Sequence, residues 1–183
     1  MAQGPAFKNL TAWSASPKNS RKTLARAAGS RLWCASSWEL FMTDTPPQLE
    51  GWTKWGGEEP FEDHAGPFFM KIDPNGGQHL SAFVCKKRHL NGGGFLHGGM
   101  LMSFADYALF VIAHDALENE HSVTVSCQTE FLKGAAPLGD CVYAKGEVTR
   151  NTRSLVFIRG EIFVGDVTLA TFTGILKKIA PRN

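Results

Sequence analysis

The arrangement of apolar and polar positions divides the chain into segments of different period. Residues 42–67 are rich in Pro, Gly, Trp and acids and read as a loop-rich lead-in with one helical turn around Glu58–His64. Phe68–Ile72 is apolar and is broken by Asp73-Pro74-Asn75-Gly76-Gly77, a strong turn signal; Gln78–Lys87 follows as a second strand, giving a hairpin. After the flexible Asn91-Gly92-Gly93-Gly94, His97-Gly98-Gly99 opens an apolar run that ends near Leu117. Ala105, Ala108, Leu109, Ile112 and Ala113 sit there among Met100, Leu101, Phe104, Phe110 and Val111, which predicts a helix buried on most faces. The period then switches to two: Val123, Val125, Cys127, Thr129 and Phe131 alternate with Thr124, Ser126, Gln128 and Glu130. Asp140–Thr149, Ser154–Val164 and Thr168–Ile179 read as three more strands with short connections, hence antiparallel neighbours. Two strands, one long buried helix and four strands make an α+β domain in which the sheet wraps the helix, because each needs the other's apolar face.

Charge changes the picture at the N-terminus. The whole chain carries +2, but residues 1–41 hold six basic groups (Lys8, Lys18, Arg21, Lys22, Arg26, Arg31) against Glu39, so the remainder carries −3. This basic, Ser- and Ala-rich stretch lacks the apolar core of a secretory signal. It reads as a dispensable extension ahead of Met42, a disordered tail or an organelle transit peptide. A cytoplasmic protein is expected, or an organellar one if the third reading holds. Nothing global points to nucleic acid, and no apolar run approaches the roughly 20 residues that span a membrane. Cys34, Cys85, Cys127 and Cys141 form no CxxC pair and no zinc spacing, and read as reduced thiols, Cys127 and Cys141 as small hydrophobes in strands. His64, His79, His89, His114 and His121 show no ligand spacing and read as surface or capping residues, so no metal and no bound cofactor is expected. No Gly-x-Ser-x-Gly elbow or phosphate loop is present.

The chemistry concentrates in sixteen residues containing Asn91, His97, Gly98, Gly99 and Asp106. Gly98 and Gly99 begin a helix, where backbone N–H groups lack intrahelical partners and the dipole is positive. Such a site holds a developing oxyanion, and glycine lets the substrate approach. Asp106 lies mid-helix in the most apolar part of the chain, where a carboxylate is costly unless paired or used, and is a candidate base or nucleophile. Asp106 follows His97 by nine residues. At ~1.5 Å per residue that is roughly 13 Å, too far for one reacting centre within a chain. If both act on one carbonyl, Asp106 comes from a second subunit, and a two-fold pair of antiparallel helices gives two shared sites.

Asn91-x5-His97-Gly98-Gly99-x6-Asp106, followed by the Val123–Phe131 strand and three further strands, resembles the hotdog-fold thioesterase superfamily in its phenylacetate-degradation-type branch, over about Gly66 to Ile179. The resemblance implies a hotdog domain over residues 68–180 that hydrolyses an aryl- or medium/long-chain acyl-CoA to free acid and CoA. It implies a homodimer with shared active sites, paired again into a homotetramer. Gly98 would polarise the thioester carbonyl, and Asp106 would activate water or attack directly. Asn91 and His97 would orient the thioester or water, and Thr124 would assist the nucleophile. The turn that carries a Gly-Lys or Gly-Arg pair in many relatives reads Arg150-Asn151-Thr152-Arg153-Ser154 here; Arg150, Arg153 and Ser154 are the CoA-binding candidates. The pocket is expected to involve Phe68, Phe69, Met102 and Tyr107. A non-catalytic acyl-CoA-binding hotdog module and a hotdog dehydratase or hydratase are the alternatives.

Overall fold

The computed structural model describes residues 45–117 and 120–179. Residues 1–41, the expected start at Met42 and Cys34 lie outside them. α1 (Pro60–Ala65) starts on a proline and precedes a hairpin of β1 (Phe69–Lys71) and β2 (Leu80–Val84). α2 (Gly98–Ile112) ends at Ala113, whose φ of −84° and ψ of 3° break the helix before α3 (His114–Leu117). β3 (His121–Phe131), β4 (Cys141–Asn151), β5 (Leu155–Val164) and β6 (Val167–Ile179) follow. The expected elements are present, with the second strand shorter than the sequence suggests. Its C-terminal end turns into a single 3-10 turn at Lys87–His89.

The sheet runs β1-β2-β4-β5-β6-β3, every pairing antiparallel. Its concave face wraps α2, which touches β2 through β6. Phe68, Phe83, Phe104 and Tyr107 interlock at the centre; the Phe83 and Phe104 rings meet edge-on at 4.8 Å. Close approach of helix to sheet depends on missing side chains. A Cβ on Gly174 would stand 2.3 Å from Leu109 Cδ1, and one on Gly146 would stand 2.8 Å from Ile112 Cδ1. At its β1–β2–β4 end the other face of the sheet is covered by the lead-in. Leu49 is fully buried there with Phe69, Ala82 and Cys141, and Thr53 bridges to Met70 of β1. This removes Phe69 from the expected pocket, because its side chain points to the face opposite α2. Cys85 and Cys141 are buried as free thiols, and Cys127 packs against the main core.

β3 departs from simple alternation. Thr124 pairs with Leu176 and Ser126 with Ile175, leaving Val125 as an unpaired bulge. The bulge switches the inward phase. Ser122 and Thr124 face inward before it, and Cys127 and Thr129 after it. Val123 and Val125 are thereby turned to solvent, 44% and 53% exposed, on a strand that forms the edge of the sheet.

Candidate active site

His97 closes the start of α2 with its own side chain: its Nδ1 accepts the N–H of Gly99 at 2.9 Å. In the neutral ring this places the proton on Nε2, at an exposed position, as a donor. The N–H of Gly98 has no acceptor among the described residues, so the first residue of α2 offers an open donor at the positive end of a fifteen-residue helix. A Cβ on Gly98 would meet only the Phe131 ring, 3.2 Å away. Asn91 shapes the approach. Its Oδ1 accepts from the N–H of Gly93 (2.9 Å) and of Phe95 (3.2 Å), while Gly94 turns the loop at a φ of +80°. Both polar candidates thus have a local structural task beside any catalytic one.

Asp106 is half-buried in the middle of α2. Thr124 donates its hydroxyl to Asp106 Oδ1 at 2.7 Å, a short bond to a charged acceptor between elements eighteen positions apart in sequence. Cys127 is close enough that the Asp106 charge, after burial, helps push its thiol above the ordinary range, so the sulfur stays protonated.

Beside Asp106 a cavity of about 370 Å³ opens between α1, α2 and the start of β3, lined by Trp55, Glu59, Glu62, Tyr107, Phe110 and Ser122 among others. Glu62 and Trp55 belong to the lead-in and were not legible as site residues. Burial, with Glu59, Asp106 and Asp63 nearby, pushes the Glu62 carboxyl up to about 7. Burial also raises the Tyr107 phenol, and its hydroxyl has no partner among the described residues. Phe68 packs on Tyr107 behind the cavity, whereas Met102 is 47% exposed.

Arg150, Arg153 and Ser154 lie at the opposite end of α2 from Gly98. Asn151 Nδ2 donates to Ala116 O at 3.4 Å, and Thr152 closes the turn onto Leu155. Arg150 and Arg153 are exposed and do not share a cleft with Gly98 of their own chain. The sheet brings Lys177 and Lys178 beside them: Leu155 pairs with Lys177, and the Lys178 N–H donates to Ser154 O. The four cations form a basic end that periodicity alone did not disclose.

His89 is a capping residue, as expected, although buried: its Nδ1 accepts the Lys86 N–H at 3.0 Å. His79, expected at the surface or in a cap, is buried instead and meets His114 around Asp115, with three possible ligand atoms within 4.8 Å of one another. The Asp73 N–H donates to His79 Nδ1 at 3.1 Å, so the neutral ring carries its proton on Nε2, facing Asp115 Oδ1 at 3.2 Å. A metal-bound histidine donates from its second nitrogen rather than accepting there. The cluster instead ties the β1–β2 hairpin to the end of α2, with His114 Nδ1 2.9 Å from the same Asp115 oxygen.

Comparison with known proteins agrees with this architecture. The sequence model of the thioesterase superfamily matches residues 93–171. A Pseudomonas aeruginosa protein named as an inferred esterase, PA0474, is 28% identical over 127 residues, 69% of this chain and 93% of its own. The PaaI protein from the Escherichia coli phenylacetic acid degradation operon superposes with a TM-score of 0.58 at 22% identity, over 67% of this chain and 86% of its own. A hypothetical thioesterase of Streptococcus pneumoniae TIGR4, determined with coenzyme A, superposes with a TM-score of 0.57 at 19% identity, over 66% and 93%. At these identities the two structures establish the fold. The matched region contains the helix start, Asp106, Thr124 and most of the strands that enclose them; over it the chain is similar to the thioesterase superfamily, and the fold is the hotdog fold.

Proposed function

We propose that the chain is an acyl-CoA thioesterase of the phenylacetate-degradation type, acting as a dimer with shared sites on aryl or medium- to long-chain acyl groups. The observation that carries this reading is the Thr124 hydroxyl held at 2.7 Å on the Asp106 carboxylate, which points a half-buried charge in one fixed direction. The open N–H of Gly98 and the proton on His97 Nε2 supply donors for the thioester oxygen as it gains negative charge. Water adds to the carbonyl carbon while its proton passes to Asp106. The C–S bond then breaks, and the proton goes to the departing CoA thiolate. Direct attack by Asp106, with water resolving the acyl intermediate, uses the same geometry.

Nine residues of helix separate Asp106 from His97, so the Gly98 donor of one subunit works with Asp106 of the partner subunit. The β3 edge supports that pairing. It is eleven residues long, carries unpaired backbone groups, and turns Val123 and Val125 outward. The basic end of Arg150, Arg153, Lys177 and Lys178 suits the phosphates of CoA. Aromatic walls at Trp55, Tyr107 and Phe110 suit an aryl or folded alkyl group. The coenzyme A in the Streptococcus pneumoniae structure is in keeping with this substrate class.

The test is free-thiol release from a panel of acyl-CoAs by wild type and Asp106→Asn. Turnover that collapses in the variant is expected. Tight acyl-CoA binding by wild type without turnover would instead make the domain a binding module, and mass measurement of the protein reads whether dimers pair into tetramers.

A further inference from the structure

We propose that Glu62 is a positioning residue of the hydrolytic site, set opposite Tyr107 in the cavity between α1 and α2 that lies beside Asp106; this rests on the thioesterase reading above. The placement is structural. Asp106 and Tyr107 are consecutive on α2, and Ser122 and Thr124 share the inward face of β3. Thr124 holds Asp106, while Tyr107, Ser122 and Glu62 line the cavity beside it. Glu62 lines the same cavity as Tyr107, whose buried hydroxyl has no partner among the described residues.

The charges around Glu62 are nearly all negative. Glu59 caps the start of α1 and Asp63 follows Glu62 on it, the charge of Asp106 reaches it from α2, Glu120 and His121 line the same cavity, and Glu58 lines a neighbouring one. Lys54 approaches, but its ammonium is paired with Asp63 at 3.3 Å. In such a field, half-buried, the Glu62 carboxyl favours its protonated form. Burial first, then the charges of Glu59, Asp106 and Asp63, hold the Glu62 carboxyl up near 7. Once Glu62 ionises, a second negative charge opposes the charge that develops on the thioester oxygen.

The experiment is the pH profile of kcat/KM for the full chain, wild type against Glu62→Gln and Glu62→Ala. The wild-type rate falls about tenfold between pH 6 and 8.5, a like-charge effect of the usual size. Glu62→Gln, a neutral isostere of the protonated acid, loses that alkaline limb, and Glu62→Ala runs below Glu62→Gln across the range. An alkaline limb unchanged in Glu62→Gln overturns the proposal. A second readout does not need turnover: ¹³C-carboxyl NMR of glutamate-labelled protein follows Glu62 directly. Its midpoint moves down in Asp106→Asn, and a midpoint that stays in place overturns the pairing. Turnover retained by Asp106→Asn would instead defeat the catalytic reading, while the NMR titration still judges the pairing by itself.

Discussion

Replacing Gly98 by alanine separates catalysis from folding. The new Cβ meets only the Phe131 ring: its three nearest atoms all belong to that side chain, at 3.2, 3.6 and 3.6 Å. Phe131 is 54% exposed, so the ring can give by the few tenths of an ångström required. Gly98 has no left-handed φ, and alanine favours the helix over glycine by up to ~1 kcal/mol. Stability therefore stays within about 1 kcal/mol of wild type, a shift of roughly 2–4 °C in Tm for a domain of this size. Catalysis has no such tolerance, because the methyl group projects where the thioester oxygen must approach the Gly98 N–H. Loss of one such donor costs about 2.7–4 kcal/mol, or roughly 10²–10³ in kcat. The assay is thiol release with the best acyl-CoA, paired with a thermal melt of the same preparation. A Gly98→Ala protein with wild-type Tm and wild-type kcat would refute the assignment of this N–H to the oxyanion.

Three further outcomes follow from separate features. Thr124→Val keeps shape but removes a hydrogen bond to a charged acceptor worth about 1.5–3 kcal/mol, so kcat falls by at least about tenfold in the thiol-release assay; an unchanged rate would detach Thr124 from the chemistry. Gly174→Ala drives a methyl group into Leu109 at 2.3 Å within a fully buried contact, and urea unfolding should register about 1–3 kcal/mol of lost stability; no loss would mean that helix and sheet adjust freely. Glu62 has a folded-state pKa raised from 4.5 to about 7, so the folded form binds its proton more tightly and loses stability as pH climbs through that window. After allowance for solvent screening, wild type should lose about 1–2 kcal/mol relative to Glu62→Gln between pH 4.5 and 8 in denaturant titrations, and a pH-independent difference would contradict the shift.

The parts of the fold that were readable are those written locally. The Asp73–Gly77 break, the all-apolar run after His97 and the switch to period two each announce an element without knowledge of its neighbours. His97 and Gly98 were placed correctly at the helix start for the same reason. What was not readable depends on long-range placement. The bulge at Val125 reverses the faces of β3, yet a bulge has no local signature in an alternating run. Glu62 reaches the surroundings of Asp106 through a short helix forty-four positions away, and Lys177 joins the Arg153 turn only because β6 lies beside β5. His79 looks like any surface histidine until the hairpin folds it onto Asp115.

The central claim is that each site combines Gly98 of one subunit with Asp106 of the other, and mixed dimers test it most directly. Asp106→Asn and Gly98→Ala chains are inactive or nearly so when separate. After unfolding and refolding together, half of the dimers carry one of each chain. In those, one of the two sites unites an intact Gly98 with an intact Asp106. The account predicts recovery of about a quarter of wild-type thiol release in an equal mixture. Activity that stays at the level of the separate variants, in a mixture shown to contain mixed dimers, would place both groups in one chain and contradict it.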